Sequence, residues 1–309
     1  MKRIPVWFDT DLGVDDAVAL LTLWRLPELE LRGISAVAGN AELCHTFENA
    51  RNVCHLAGID VPVYPGAEHP LFVPLRTAPL VHGKNGVGEV ELAPSPAPRE
   101  AKPAWDALYD AAKAAGGELQ VIAVGPLTNL ATAFGKYPDL KTLIRRILIM
   151  GGAAKGGNVT PAAEFNIYGD PHAAQMVFRS GVPVVMCGLD VTMRAYLTPE
   201  EVESIGAYGT PVCRFVRDSN QLALAFFERT DGPGLCCHDT CPVMYLAHPE
   251  LFTGEEAGVY VETRGTLTLG KTVTDIWSDK QFPDRHVFVV LDVDRDAFAA
   301  KVQELLRTY

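Results

Sequence analysis

The chain repeats one unit: a short, apolar, β-branched run stops at a turn of small or polar residues, and a helical stretch follows. After an opening run from Ile4 to Phe8 come Leu31 to Val37, ending at Gly39-Asn40, and Leu119 to Val124, ending at Gly125-Pro-Leu-Thr-Asn129. Ile147 to Met150, ending at Gly151-Gly152, and Val182 to Met186, ending at Gly188-Leu-Asp190, complete the series. Strands that are apolar throughout rather than alternating, and that are separated by helices, predict an open, mostly parallel sheet covered by helices on both faces. Ligands of such sheets bind outside the carboxyl ends of the strands, where these turns lie, so the turns belong to one crevice. Further runs at 259–263, 266–269 and 287–293 predict extra C-terminal strands added beyond the parallel core. No repeat or linker divides the chain, and 309 residues with 48% apolar content suffice for one large core, so residues 1–309 are read as a single α/β domain.

The densest chemistry lies at the first turn. In Val6-Trp-Phe-Asp-Thr-Asp-Leu-Gly-Val-Asp-Asp-Ala-Val-Ala-Leu-Leu21, four carboxylates, Asp9, Asp11, Asp15 and Asp16, straddle a strand end and the first turn of a buried helix predicted over Ala17 to Trp24. A helix N-terminus stabilises a nearby carboxylate by only about 0.3–1 kcal/mol, too little to gather several repelling anions without a cation. Ligands that are all oxygen suit Ca²⁺ or Mg²⁺ better than zinc.

The formal charge of −11 argues against a nucleic-acid or anionic-membrane partner, since both need clustered Lys and Arg, and leaves a small neutral substrate compatible. The first apolar stretch is too short for a secretory signal, and no apolar run reaches the roughly 18 residues of a membrane span, so a soluble, cytoplasmic protein is expected. Seven cysteines scattered through apolar segments read as buried thiols rather than a disulfide framework. Cys236-Cys237-His238 with Cys241 makes a poor zinc site, because adjacent cysteines lack a second Cys-rich cluster to complete a tetrahedron.

Two further constellations carry polar chemistry. Asn158-Val-Thr-Pro-Ala-Ala-Glu-Phe-Asn166, with Asp170 shortly after, offers two amides and the Glu164 carboxylate beside the apolar Phe165, a donor and acceptor set suited to vicinal hydroxyls. His238-Asp239 precedes an apolar helix over Pro242 to Ala247. There an Asp can reach back to a metal, and a His can act as an acid near neutral pH. His82-Gly-Lys-Asn-Gly-Val-Gly88 has three glycines, enough to hinge like a lid, and leads into a proline-rich connector over 94–104.

Together these segments resemble the nucleoside hydrolases, the inosine-uridine preferring and pyrimidine-preferring ribonucleoside N-glycosidases. The resemblance runs through essentially the whole chain. Its sharpest points are Asp9-Thr-Asp-Leu-Gly-Val-Asp-Asp16, Val37-Ala-Gly-Asn40, Val81-His-Gly83, Gly125-Pro-Leu-Thr-Asn129, Met150-Gly-Gly152, Gly157 to Asn166, Gly188-Leu-Asp-Val-Thr192 and His238-Asp239.

The resemblance implies the nucleoside hydrolase fold, with a Rossmann-like open sheet, and hydrolysis of uridine, cytidine or inosine to ribose and free base. It implies one Ca²⁺ held by Asp11, Asp16, Asp239 and the carbonyl of Val124, where several relatives carry Thr. It implies Asp15 as the general base for water. It places Asn40, Asn158, Glu164 and Asn166 on the ribose, with Met150 and Phe165 packing nearby, and His82 and His238 on the base side. The residue matching His238 helps protonate the leaving base in the inosine-uridine branch. A homodimer or homotetramer is implied by the same analogy.

The reaction asks for these groups independently. Breaking a ribosyl C–N bond builds positive charge on the sugar, so nearby anions, an activated water and a donor to the departing base are all required. Two rival classes of protein share parts of this pattern. A haloacid-dehalogenase-like phosphohydrolase also ends a strand in Asp-x-Asp, but Asp15-Asp16 would repel a phosphoryl substrate. A non-catalytic Ca²⁺-dependent nucleoside-binding protein would need the ion and the clamp but neither Asp15 nor His238.

Overall fold

Strand β1 (Ile4–Thr10) is buried at every position after Ile4, with Val6 and Phe8 facing one core layer and Trp7 the other. That two-sided burial places it in the middle of a sheet. The computed structural model describes residues 3–230, 232–277, 279 and 281–309. It pairs β1 in parallel with β2 (Leu29–Ala36) on one side and β4 (Leu119–Ala123) on the other. β3 (Val63–Pro65), β5 (Ile144–Met150), β6 (Val184–Cys187), β7 (Phe252–Ala257) and β8 (Val287–Val293) complete eight strands in the order β3-β2-β1-β4-β5-β6-β8-β7. All neighbours are parallel except β7, which runs antiparallel to β8 at the edge.

The same alternation recurs in the central strands: Ile122, Leu148 and Val185 join the first layer, and Val121, Ile147 and Val184 the second. Helices Val14–Arg25, Thr240–Ala247 and Arg295–Leu306 pack together, and helix Thr128–Lys136 packs against Ala104–Ala115 and Pro171–Phe178. Full burial of each large apolar side chain contributes roughly 1.5–3 kcal/mol, which is why apolar strands settle here rather than at an edge. Between β1 and β2, the Trp7 ring lies over Gly33, where any Cβ would collide with it, and its indole N–H donates to Ser35 Oγ at 2.8 Å.

The predicted parallel core is present, but the tail differs from expectation. Val287–Val293 sits within the main sheet, parallel to β6, rather than beyond it. Val259–Val261 pairs with Thr272–Thr274 in a separate antiparallel ribbon, and residues 266–269 form a turn. β3 and β7 escape sequence reading for physical reasons. β3 has three residues and ends in Pro65 at a sheet edge, while β7, FTGEEA, is mostly polar because its outer side faces solvent.

Candidate active site

Successive strands step one way from β1 to β3 and the other way from β4 onward, so the crevice opens at the carboxyl ends of β1 and β4. Asp11 follows β1, Gly39-Asn40 follows β2, and Val124-Gly125 follows β4. Helix Val14–Arg25 starts with Asp15 and Asp16 in its first turn, and helix Thr240–Ala247 starts immediately after Asp239. These two packed helices bring their positive N-terminal ends to one spot.

Asp16 is anchored there. One carboxylate oxygen accepts from the Thr10 hydroxyl; the other accepts from the Gly13 N–H at 2.9 Å and the Asn40 amide at 3.0 Å. Asp11 Oδ2 accepts from the Asn40 N–H at 2.7 Å. Asp11 Oδ1 and Asp15 Oδ1 are buried with no hydrogen-bond partner. A Cβ on Gly39 would collide with the Asp11 carboxylate, and one on Gly125 would lie 2.7 Å from Asp11 Oδ1, so glycine is required to close this cradle.

Ligand atoms of Asp15, Asp16 and Asp239 lie within 4.8 Å of one another, the only such group among the described residues. Asp11, expected as a ligand, lies outside that triplet, and Asp15, expected as the base, lies inside it. Two unit charges 4.8 Å apart repel by roughly 3 kcal/mol at an effective dielectric of about 20. Burial, and then its neighbour Asp16, push the Asp15 carboxyl up to about 7. Burial, followed by neighbouring carboxylates, raises Asp11 and Asp239 well above the usual range. Orphaned buried oxygens, an all-oxygen donor set and unrelieved repulsion fit a hard divalent cation.

Asp9, the fourth acid of the cluster in sequence, has a different role. It sits inside the sheet opposite Ser35, and its Oδ2 accepts from the Ser35 hydroxyl and from Asn129 Nδ2 at 2.8 Å. Asn129 in turn accepts from the Ala67 N–H at 2.8 Å. Asp9 therefore ties β2 and the turn after β4 together.

Two imidazoles stand beside the acids. His82 Nδ1 accepts the Val14 N–H at 3.2 Å, satisfying an orphan donor of the helix start, and lies 3.9 Å from Asp15 Oδ1. Its proton is therefore on Nε2. His238 is half-buried, with Nδ1 2.8 Å from Thr192 Oγ1 and its ring 6.2 Å from that of Phe227. Burial lowers both, His82 to about 3, with His238 opposing its charge, and His238 to about 4. The glycine-rich loop after His82 is tied down. The Asn85 carbonyl accepts from Asn49 at 2.8 Å, and a Cβ on Gly88 would collide with the Ser219 carbonyl.

The Asn158–Asn166 segment supplies the facing wall. Glu164 caps helix Phe165–Gly169 through the Asn166 N–H (2.8 Å) and Ile167 N–H (3.1 Å) and also accepts from Gly152 N–H at 2.9 Å. Burial nevertheless raises its carboxyl to about 7. Asn166 Nδ2 donates to the Val124 carbonyl at 2.8 Å and the Met150 carbonyl at 3.2 Å, so three expected site residues meet at one amide. Asn158 stands apart: it is exposed, its Oδ1 caps the Phe165 N–H at 2.9 Å, and it borders a 490 Å³ groove with Lys155, Asp190 and Arg194. Asp170 caps helix Pro171–Phe178 and holds Leu71 N–H and the Thr128 hydroxyl, a structural role. Thr10, Ser35 and Thr192 are the polar supports that sequence reasoning missed. Thr10 and Thr192 lie inside the quoted motifs, but nothing in their spacing marks them.

The crevice and its carboxylates are those of a nucleoside hydrolase, and sequence comparison agrees. The model of the family described as "Inosine-uridine preferring nucleoside hydrolase" matches residues 6–300, and the chain belongs to that family. It is 40% identical over 308 residues to the non-specific ribonucleoside hydrolase RihC of Klebsiella pneumoniae (strain 342), covering 98% of each chain. RihC of Escherichia coli O1:K1 / APEC is likewise 40% identical, over 307 residues and 98% of each chain. Among solved structures, a plant nucleoside hydrolase superposes with a TM-score of 0.92 at 31% identity, covering 99% of both chains. A purine-preferring ribonucleoside hydrolase from Gardnerella vaginalis gives 0.91 at 33%, covering 99% of this chain and 100% of the other. The phosphohydrolase reading lapses with this assignment.

Proposed function

We propose that this protein hydrolyses the N-glycosidic bond of ribonucleosides, with uridine, cytidine and inosine within its range, releasing ribose and free base. The observation that carries the reading is the juxtaposition of Asp15, in a buried carboxylate cluster, with the imidazoles of His82 and His238. The relatives' names, one non-specific and one purine-preferring, support a base range wider than pyrimidines.

Asp11, Asp16, Asp239 and the Val124 carbonyl would hold one Ca²⁺. When bound, that ion supplies the positive charge that offsets the carboxylates and acidifies nearby water. Asp15, beside those ligands, would take a proton from the attacking water, a contribution of about 10²–10⁴-fold. The water oxygen bonds to C1′ as the C1′–N bond breaks and its electron pair leaves on the base. The remaining anions face the cationic sugar, and the imidazole N–H groups of His82 and His238 face the charge on the base. Asn40, Glu164 and Asn166 would hold the ribose, with Met150 and Phe165 against it, while Asn158, expected there too, caps the Phe165 N–H outside this cluster.

No helix among the described residues is long and apolar enough to cross a membrane; our reading of a cytoplasmic homodimer or homotetramer rests on analogy with the family. The test is to incubate the protein with uridine, cytidine, inosine and adenosine and quantify free ribose for each. Release from none of them would refute the assignment.

A further inference from the structure

The short helix Leu189–Thr192 follows β6, yet the reaction above gives it no role. Its last residue is fully buried, and its N–H donates to the Gly188 carbonyl at 3.0 Å. The hydroxyl has one partner among the described residues, His238 Nδ1 at 2.8 Å, from a residue 46 positions away. Two arrangements are chemically possible. If Nδ1 carried the hydrogen and donated it, the Thr192 hydroxyl hydrogen would be buried without an acceptor, the costlier state. If Thr192 donates, both atoms are satisfied and the ring hydrogen sits on Nε2, which has no protein partner among the described residues.

We propose that Thr192 is a positioning residue: its hydroxyl donates to His238 Nδ1, fixing the ring's rotation and the tautomer that presents Nε2–H to the departing base. His82 is set the same way, since its Nδ1 is occupied by the Val14 N–H. Both rings thus offer Nε2–H, one held from a helix start and one from the end of β6. The inference rests on the hydrolase reading for its catalytic consequence, but the tautomer is a property of the protein alone.

The experiment uses the whole protein and Thr192→Val, which replaces the hydroxyl by a methyl group of similar size, with Thr192→Ser as the rescue. Ribose release from uridine should fall at least about tenfold in kcat for Thr192→Val, with KM within about twofold, and Thr192→Ser should restore it. Cleavage of p-nitrophenyl riboside, whose leaving group departs as a stable anion, should change by less than about twofold. Adding Thr192→Val to His238→Ala should cost nothing further. Equal slowing of both substrates, no slowing of either, or a multiplied loss in the double variant would overturn the proposal. Nitrogen NMR of the His238 ring supplies a readout independent of turnover. The wild type should show hydrogen on Nε2 alone, and Thr192→Val should show a tautomer mixture; hydrogen on Nδ1 in the wild type refutes the proposal. Should no nucleoside be cleaved, the hydrolase reading fails while the NMR result still decides the role of Thr192.

Discussion

Stripping divalent cations from this protein should make it less stable as pH rises from 5 to 8, the reverse of the usual behaviour of buried, paired carboxylates. Asp15 alone illustrates the size. Its carboxyl moves from 3.8 to about 7 on folding, because burial and then Asp16 oppose its charge. Since the folded value is the higher one, the folded state binds the proton more tightly. Stability from this group is complete below about 4 and is lost as pH climbs to about 7. About two of those three units fall between pH 5 and 7, roughly 3 kcal/mol, and for a chain of this length that lowers Tm by about 4 °C. A cation in the cradle offsets the repulsion, so the loaded protein should stay nearly level over the same range. The assay is thermal unfolding at pH 5, 6, 7 and 8 after chelation, with and without Ca²⁺, and with Mg²⁺ and Zn²⁺ for comparison. A stripped protein whose Tm is flat or rises with pH, and which Ca²⁺ does not stabilise at pH 8, would refute the idea of strained anions awaiting an ion.

Asp15→Asn should lower kcat by at least about 10³ yet leave Ca²⁺ content near normal, whereas Asp11→Ala should lose the ion; metal analysis and ribose release on the purified variants separate the two roles. Asn129→Ala removes one of the two donors to Asp9 Oδ2 and leaves the Ala67 N–H unpaired, and should cost about 1–3 kcal/mol in denaturant unfolding, with little effect on the KM of the folded fraction. Because the proposed site meets the ribose hydroxyls with buried polar groups, kcat/KM for 2′-deoxyuridine should fall roughly 10⁴-fold below that for uridine, with free ribose from uridine as the product even in phosphate. Comparable rates for the two substrates, or ribose 1-phosphate as product, would contradict it.

The layer structure was legible because it follows from burial. Strands with two covered faces must be apolar throughout, so the five runs from Ile4 to Met186 could be found, each within two or three residues of its observed limits. The strand Val287–Val293 alternates instead, buried at Val287, Val289 and Val290 and exposed at Asp292, and its placement beyond the core was an error of topology. Sequence gives a strand's faces but not its neighbours. The polar edge β7 lacked even that signal, since an edge has only one face to cover.

The acids show the same limit at the site. Asp9 and Asp11 are two residues apart, and by spacing alone both belong to the cation cluster. Their fates differ because β1 still has neighbours at Asp9 and has run out of them at Asp11. The register between β1 and β2 sets Ser35 opposite Asp9, and the turn after β4 delivers Asn129, so its Oδ2 is held by two neutral donors, while its Oδ1 is buried without a partner. Asp11 lies past the last pair of the ladder, Thr10 with Ala36, where only the Asn40 N–H reaches one oxygen and the other has none. Asp239 shows the converse. Its place before an apolar helix lets it reach back to an ion but does not say which acids it meets; it joins Asp15 and Asp16 because helix Thr240–Ala247 packs against helix Val14–Arg25. Whether an acid binds an ion here depends on which donors the neighbouring strand and helix bring, and that is a property of long-range pairing rather than of local spacing.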